Sequence, residues 1–287
     1  MKRAKIALLG VNIPILNPVR VAEEFAMLDT LTNGRVIAGM LRGTSNEYVT
    51  YNTNPAESRE LFEEAMQLII KCWTETQPFG WSGRYFEFRS ISIWPRPVQT
   101  PHPPIYMSGS SPESGEFAAR HRVKLGFAVT TLPLASRASA YYRERAYAEG
   151  WDPEPDDIIY RVGIQLAETE SAALEAIAAG TNQAGDRSGR FATGNMSVDD
   201  AAARAGYYGR DETNQRGRVR STGSLQERID NGQVLFGSPD MVLQQCKRIR
   251  EEVGAGVLDL VFAGPPAQAM HDIELFGRQV LPRLREI

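Results

Sequence analysis

The sequence has few of the residues that build disulfide frameworks and metal centres. Its 287 residues include two cysteines, Cys72 and Cys246, and three histidines. Two cysteines are too few for a disulfide scaffold, and both fall within helical patterns, where we expect small buried side chains. The spacing and the neighbours of the histidines predict no metal site.

Long apolar runs and a charge excess of one sign are also missing. The uncharged apolar runs, such as 6–16, are too short to span a bilayer, and no cleavage pattern follows the basic residues Met1–Lys5. We therefore expect neither a membrane segment nor a signal peptide. A net charge of -3 argues against nucleic acid as the main partner.

Familiar catalytic motifs are absent as well. The chain contains no phosphate-binding Walker loop, no Gly-x-Ser-x-Gly elbow and no Gly-x-Gly-x-x-Gly fingerprint. The hydrophobic fraction of 42% and the charged fraction of 23% are nevertheless those of an ordinary globular protein. An enzyme with so few side chains that are candidates for a catalytic acid or base is expected to take its chemistry from a cofactor.

Buried strands alternate with helices along the chain, and this alternation predicts a parallel α/β sheet. Asn-Pro or Ser-Pro pairs begin four of the helices, as at Asn17-Pro18 and Ser111-Pro112. A small hairpin, 85–88 with 91–94, is expected between the second and third strands. A (β/α)8 barrel needs eight units, and the pattern supplies six. The expected strands are 5–13, 36–40, 105–108, 124–129, 158–167 and 257–262.

The periodicity weakens between residues 180 and 233. This stretch is rich in Gly, Arg, Asn, Asp and Ser, and it predicts a long insertion with one short helix near 199–205. A loop of this length in a compact domain is usually a lid, a binding loop or disordered. Nothing resembles a linker, so we predict a single domain over 1–287.

Two of the loops that follow predicted strands carry candidate ligand-binding groups. Arg42 follows the second strand, where its guanidinium could bind a phosphate or a carboxylate, or could simply form a salt bridge. Gly109, Ser110, Ser111 and Ser114 surround a helix N-terminus after the third strand, which suits a phosphate. The alternative there is an ordinary helix cap at Ser111.

A third loop, Phe236–Asp240, resembles the second in sequence. It follows the long insertion and not a clear strand. We therefore expect it to be only a helix cap.

A set of short motifs covers nearly the whole chain outside the insertion. Each is weak alone, but their order and spacing are specific. Together they resemble the bacterial luciferase-like family of flavin-dependent monooxygenases. The motifs are Asn17–Glu24, Leu28–Asp29, Asn33–Arg35, Arg42–Gly43, Glu57–Arg59, Phe62–Glu64, Trp94–Gln99, Pro103–Ile105, Gly109–Ser114, Ala118–Ala119, Gly237–Pro239, Gly254–Gly256 and Leu275–Gly277.

The resemblance implies a TIM-type (β/α)8 barrel that binds reduced FMN, or in some branches F420, at the carboxyl ends of the strands. It also implies that this chain lacks the family's first two β/α units, which would precede Lys5. In the family, reduced flavin reacts with O2 and one oxygen atom enters the substrate. A separate NAD(P)H:flavin reductase usually supplies the reductant.

The resemblance also assigns site residues, although it names no catalytic residue. Arg42 and the serine cluster match phosphate-binding positions. Met40 and Leu41 match a strand end beside the isoalloxazine ring, and Gly10 matches a strand end whose backbone contacts it. The implied cofactor-binding residues are Gly10, Met40, Leu41, Arg42, Gly109, Ser110, Ser111 and Ser114.

These observations lead to one principal hypothesis and two alternatives. The principal hypothesis is an FMN-dependent monooxygenase of a small organic substrate, cytoplasmic and homodimeric, with 180–233 as a substrate lid. The first alternative is an F420-dependent reductase or dehydrogenase. The second is a catalytically silent flavin-binding subunit or fragment.

Overall fold

The computed structural model describes residues 4–128, 130–177, 224–262 and 264–286. The described residues form two compact units that divide between Ser108 and Gly109. Strands and helices alternate in both units, and apart from one hairpin the strands pair in parallel. The expected parallel α/β class is therefore confirmed, whereas the eight-unit barrel, the missing first two units and the single domain stay predictions.

The first unit contains a three-stranded parallel sheet in the order β1-β2-β5 and a separate hairpin of β3 with β4. Three helices lie between these strands along the chain. The elements are β1 (Ile6–Asn12), α1 (Pro18–Thr32), β2 (Val36–Leu41), α2 (Ser45–Thr50), α3 (Ser58–Thr74), β3 (Phe79–Ser82), β4 (Glu87–Ile91) and β5 (Ile105–Ser108).

Helix α1 begins and ends where its sequence predicts. The side chain of Asn17 accepts hydrogen bonds from the amides of Val19 and Arg20, at 3.0 and 3.2 Å. Asn33 adopts the left-handed conformation that ends the helix, with φ of 54°. Local capping thus positions the chain that leads from β1 into β2.

A buried carboxylate connects α1 to the segment before β5. Asp29 is fully buried, and its oxygens accept hydrogen bonds from the backbone amides of Val98 and Gln99, at 2.8 and 2.9 Å. The side-chain amide of Gln99 donates to the same carboxylate at 2.7 Å. Asp29 therefore supplies acceptors to two backbone amides of an irregular segment.

The hairpin differs from the expected one. Phe79–Ser82 pairs with Glu87–Ile91, whereas the sequence predicted strands at 85–88 and 91–94. The reason is a contact from α3: the carboxylate of Glu64 accepts hydrogen bonds from the amides of residues 84–86 and from the indole of Trp81, each at 3.0 Å. These bonds hold residues 83–86 as the turn.

In the second unit, β7 has three parallel partners. It pairs with β6 along 158–160, with β8 along 163–166 and with β9 along 159–164. The elements are α4 (Pro112–Arg120), β6 (Lys124–Phe127), α5 (Leu132–Ala148), β7 (Ile158–Leu166), α6 (170–177), α7 (Leu225–Asp230), β8 (Val234–Gly237), α8 (Pro239–Val253), β9 (Val257–Phe262), α9 (Pro266–Leu275) and α10 (Leu281–Leu284).

Two expectations about the second unit need correction. The end of the expected insertion is ordered secondary structure, because α7 lies within 224–233 and leads directly into β8. The apolar pattern of residues 268–284 predicts one continuous final helix, but the structure interrupts it with a π-helical turn at Phe276–Val280. The rest of the insertion, with its short helix near 199–205 and the lid role, lies outside the described residues.

The described residues contain neither a membrane-crossing helix nor a potential metal-binding group of three His, Cys, Asp or Glu side chains. Cys72 and Cys246 are buried, as expected. Burial raises the pKa of each thiol to about 12. Both thiols are therefore protonated and unreactive at neutral pH.

Candidate functional site

A β-bulge lies near the carboxyl end of β1. Leu8 pairs with Ala38 and Val11 with Met40, so β1 contains one more residue than β2 between these pairs. The extra residue brings the backbone of β1 onto Gly39, where a Cβ would lie 2.4 Å from the Cα of Leu9. Bulges often lie beside active sites, because they redirect the backbone. Only glycine at 39 permits this approach, which the sequence alone did not reveal.

The predicted ring-contacting residues have different surroundings. Gly10 is exposed and Leu41 is half-buried. Met40 is fully buried, so its side chain belongs to the core of the first unit. A ligand at these strand ends would therefore reach Gly10 and Leu41, whereas Met40 is closed off by the core.

Arg42 is half-buried directly after β2. Its Nη1 lies 3.4 Å from the hydroxyl oxygen of Ser58, and that hydroxyl donates to the carbonyl of Pro55 at 2.7 Å. The carbonyl of Arg42 accepts a hydrogen bond from the hydroxyl of the buried Tyr48. These contacts hold the backbone of Arg42 beside the strand end and direct its guanidinium toward the start of α3.

Asn12, the last residue of β1, has a polar side chain at the strand ends. The sequence did not identify it as a candidate site residue. The residue is 7% exposed, and neither amide atom has a hydrogen-bond partner. It lies against Gly43, where a Cβ would fall 2.2 Å from Nδ2. Gly43 also has a φ of +92°, so both space and backbone conformation require glycine there.

The predicted serine cluster does come together at the N-terminus of α4. The hydroxyl of Ser111 accepts from the amide of Ser114 at 3.3 Å and lies 3.0 Å from the hydroxyl of Ser114. Position 109, next to this cap, has to be glycine, because a Cβ at this position would lie 2.4 Å from the Cβ of Ser114. The helix cap is therefore confirmed, and phosphate binding by Gly109, Ser110 and the two other serines stays a prediction.

The third loop, Phe236–Asp240, differs from the expectation that it does not follow a strand and only caps a helix. Phe236 and Gly237 belong to β8, so this loop does follow a strand. Ser238 occupies the cap position of α8, but its side chain makes no capping hydrogen bond. The resemblance of this loop to the Ser111 loop is therefore limited to sequence.

The histidines belong to separate local environments. His102 packs against Trp73, with ring centroids 5.8 Å apart. His121 follows α4 and packs against Phe117, and burial, together with the charge of Arg120, lowers its pKa. The described residues therefore bring no histidine pair together for acid-base chemistry.

A second unpaired polar group lies in α9. Asp272 is fully buried, and its Oδ1 accepts from the side-chain amide of Gln268 at 2.6 Å, while Oδ2 has no partner. Burial raises its pKa, although the bonds from Gln268 and from the backbone at Leu166 act in the opposite direction. Sequence periodicity gave no signal for this group.

Comparison with known proteins identifies relatives of two kinds. A flavin-dependent trigonelline monooxygenase oxygenase component from Acinetobacter baylyi is 29% identical over 136 residues, which cover 46% of this chain and 36% of that protein. The chain thus spans about a third of that relative's length. An F420-dependent glucose-6-phosphate dehydrogenase from Nakamurella multipartita is 23% identical over 99% of this chain and 80% of that protein.

A solved structure shows the same fold. The oxygenating constituent of 3,6-diketocamphane monooxygenase from Pseudomonas putida, in complex with FMN, has a TM-score of 0.75 at 20% identity, with 97% of this chain and 79% of that chain covered. The family model for luciferase-like monooxygenases matches residues 2–257. The chain therefore belongs to the luciferase-like monooxygenase family of flavin- or F420-dependent oxidoreductases.

Proposed function

We propose that this protein is an FMN-dependent monooxygenase that oxidises a small organic substrate with O2. The observation that carries the proposal is the Gly109–Ser114 turn, where Ser111 caps the positive end of a nine-residue helix and Ser114 lies in its first turn. Such an end attracts a phosphate group through its backbone amides and its dipole. FMN carries one phosphate, and F420 also has a phosphate in its side chain.

The strand ends of the first unit suit a flat ring. Next to the bulge at Leu8–Val11, Gly10 is exposed and presents backbone without a side chain near the carboxyl end of β1. Close approach of a ligand to backbone is a common reason for glycine in a strand. We propose that this exposed backbone orients the isoalloxazine ring.

Arg42 completes the proposed binding groups. A guanidinium presents several donors in a fixed plane and keeps its charge at any physiological pH. We propose that Arg42 exchanges its long contact with Ser58 for an anionic group of the cofactor. The 3.4 Å separation from Ser58 is at the long end for a hydrogen bond.

The cofactor and its co-reactants supply the chemistry. When bound, reduced FMN provides the two electrons with which O2 delivers one oxygen atom to the substrate and the other to water. The chain binds the phosphate, orients the ring and limits the access of water to it. The proposal includes a separate NAD(P)H:flavin reductase as the source of reduced flavin, and a homodimer.

A second candidate is an F420-dependent dehydrogenase or reductase. The observation that favours it is the alignment with the F420-dependent glucose-6-phosphate dehydrogenase, which extends over 99% of this chain. A phosphate site alone is compatible with both cofactors. The two candidates therefore have to be separated by experiment.

The test is an anaerobic titration of the purified protein with reduced FMN and with reduced F420, followed by mixing with O2. The FMN proposal predicts tighter binding of reduced FMN and a rate of flavin reoxidation that differs from the rate of free FMN in solution. Tighter binding of F420 would support the second candidate. Binding with the reoxidation rate of free flavin would indicate a silent subunit, and no binding of either cofactor would contradict the proposal.

A further inference from the structure

The buried amide of Asn12 has no role in the fold as described. Buried side-chain amides in native proteins almost always have hydrogen-bond partners, and an unpaired one calls for an explanation. Here both Nδ2 and Oδ1 are buried and unpaired, in a residue that is 7% exposed. A buried amide that has no hydrogen-bond partner within the protein is a candidate for pairing with a ligand.

The location of Asn12 connects it to the proposed cofactor site. Asn12 ends β1 and is in register with Leu41, the half-buried end of β2. Its amide lies against Gly43, the residue after Arg42, at 2.2 Å and 2.7 Å from a Cβ built there to Nδ2 and Oδ1. The amide is therefore within the strand-end region that we assign to the ring.

We propose that Asn12 pairs with the imide edge of the cofactor ring, its Nδ2 donating to a ring carbonyl and its Oδ1 accepting from the ring N–H. A carboxamide offers one donor and one acceptor in a plane, which this edge of the ring complements. A phosphate only accepts, so it would leave Oδ1 unpaired. The inference rests on the proposed function and extends it to the recognition of the ring.

Ligand access requires a movement of the segment around Gly43. In the described structure both amide atoms are closed off from solvent, and Gly43 lies against them. The ring would replace Gly43 as the neighbour of the amide. The cost is small on the side of Asn12, because no hydrogen bond of its amide has to break.

The experiment compares FMN with 3-methyl-FMN, in which a methyl group replaces the imide N–H. Dissociation constants are measured by flavin fluorescence for the unmodified protein, for Asn12→Leu and for Asn12→Ala. Leucine matches the shape of asparagine, and alanine excludes overpacking as a cause. Asn54→Ala is the matched control, because the side chain of Asn54 accepts from the amide of Ala56 and only caps a turn.

The unmodified protein is expected to prefer FMN over 3-methyl-FMN by about tenfold, the scale of one or two hydrogen bonds. The preference should disappear in both Asn12 variants and persist in Asn54→Ala. The preference is the ratio of two dissociation constants measured on the same variant. A loss of affinity that comes from general damage to the fold therefore cancels.

Two other results would overturn the inference in different ways. If the unmodified protein binds FMN and the Asn12 variants keep the preference, or no protein shows one, the role of Asn12 is wrong while the proposed function stands. If the unmodified protein binds no flavin in either redox state, the proposed function fails and the inference fails with it.

Discussion

At the scale of single residues, two buried carboxylates differ in the number of hydrogen bonds that they accept. Asp29 has three donors on its carboxylate, whereas Asp272 leaves one oxygen unpaired, although both are fully buried. The first arrangement stabilises the fold. The second costs free energy whenever the carboxyl group is ionised.

Asp272→Asn should therefore stabilise the protein at neutral pH, on the order of 1 kcal/mol. The pKa of Asp272 is raised in the folded state, so folding becomes less favourable as the pH rises from the unfolded pKa toward the folded one. Asparagine keeps an acceptor for Gln268 and carries no charge. Unfolding by urea at pH 7 and near pH 3 measures the difference, which should be present at pH 7 and small near pH 3.

The control for this prediction is Asp240→Asn. The carboxylate of Asp240 is 80% exposed and pairs with Arg283 at 2.6 Å, so its replacement should cost a few tenths of a kcal/mol at most. If Asp272→Asn lowers the free energy of unfolding at pH 7, the unpaired oxygen has a partner in solution and the explanation is wrong.

Sequence reasoning cannot assign partners to such residues, because the partners are distant along the chain. Asp29 contacts residues 98 and 99, and the unpaired amide of Asn12 is recognised only through its position against Gly43. The residues that sequence did single out, such as Arg42 and Ser111, follow strands or begin helices. Local pattern therefore identifies positions of this kind, whereas burial and pairing need the structure.

At the scale of elements, the helix caps were predictable and the hairpin register was not. Asn17 and Ser111 cap helices through bonds to residues within three positions, which the sequence pattern encodes directly. The turn between β3 and β4 is instead fixed by Glu64, from another element. β8 was missed because it directly follows residues 180–233, the stretch interpreted as an insertion.

The two similar cap sequences provide a matched pair of variants. Ser111→Ala should lower the free energy of unfolding by about 1 kcal/mol, because the hydroxyl of Ser111 accepts from the amide of Ser114. Ser238→Ala should cost clearly less, since Ser238 makes no such bond. Thermal and urea unfolding without flavin measure both, and equal losses would contradict the capping assignment.

The hairpin turn gives a pH-dependent prediction. Burial alone would raise the pKa of Glu64, but the hydrogen bonds from Trp81 and from the amides of residues 84–86 lower it. The charged carboxylate therefore stabilises the fold above its unfolded pKa, and this stabilisation is lost as the pH falls through the folded value. Glu64→Gln should cost about 1–2 kcal/mol at pH 7 and less in acid.

Glu60→Gln is the comparison for this variant. The carboxylate of Glu60 lies on the same helix, is 60% exposed and pairs with Arg84. Its replacement should change the stability by less than 1 kcal/mol. A cost for Glu64→Gln that does not depend on pH would show that the charge of Glu64 does not hold the turn.

At the scale of the whole molecule, the ordered motifs identified the family, and the family model confirms it over residues 2–257. Six of the parallel strands were predicted close to their observed bounds, because short continuous apolar runs between turn residues indicate strands. The first of them, β1, is nevertheless mostly exposed. The cofactor is a different kind of question. FMN and F420 both carry a phosphate, and a phosphate site is compatible with either of them. Neither the sequence nor the fold therefore identifies the cofactor.

The central claim is that the chain binds a flavin at the carboxyl ends of its strands, with Arg42 among the binding groups. The most direct measurement is a fluorescence titration of FMN against the unmodified protein, Arg42→Ala and Arg20→Ala. Arg20 is the control, an exposed arginine that pairs with Glu23 and Glu24 on α1.

The account predicts micromolar binding that weakens by about 1.5–3 kcal/mol in Arg42→Ala, the scale of a lost charged hydrogen bond. Binding by Arg20→Ala should equal that of the unmodified protein. Equal affinity of all three proteins would contradict the role of Arg42. Absence of FMN and F420 binding in both redox states would contradict the account as a whole.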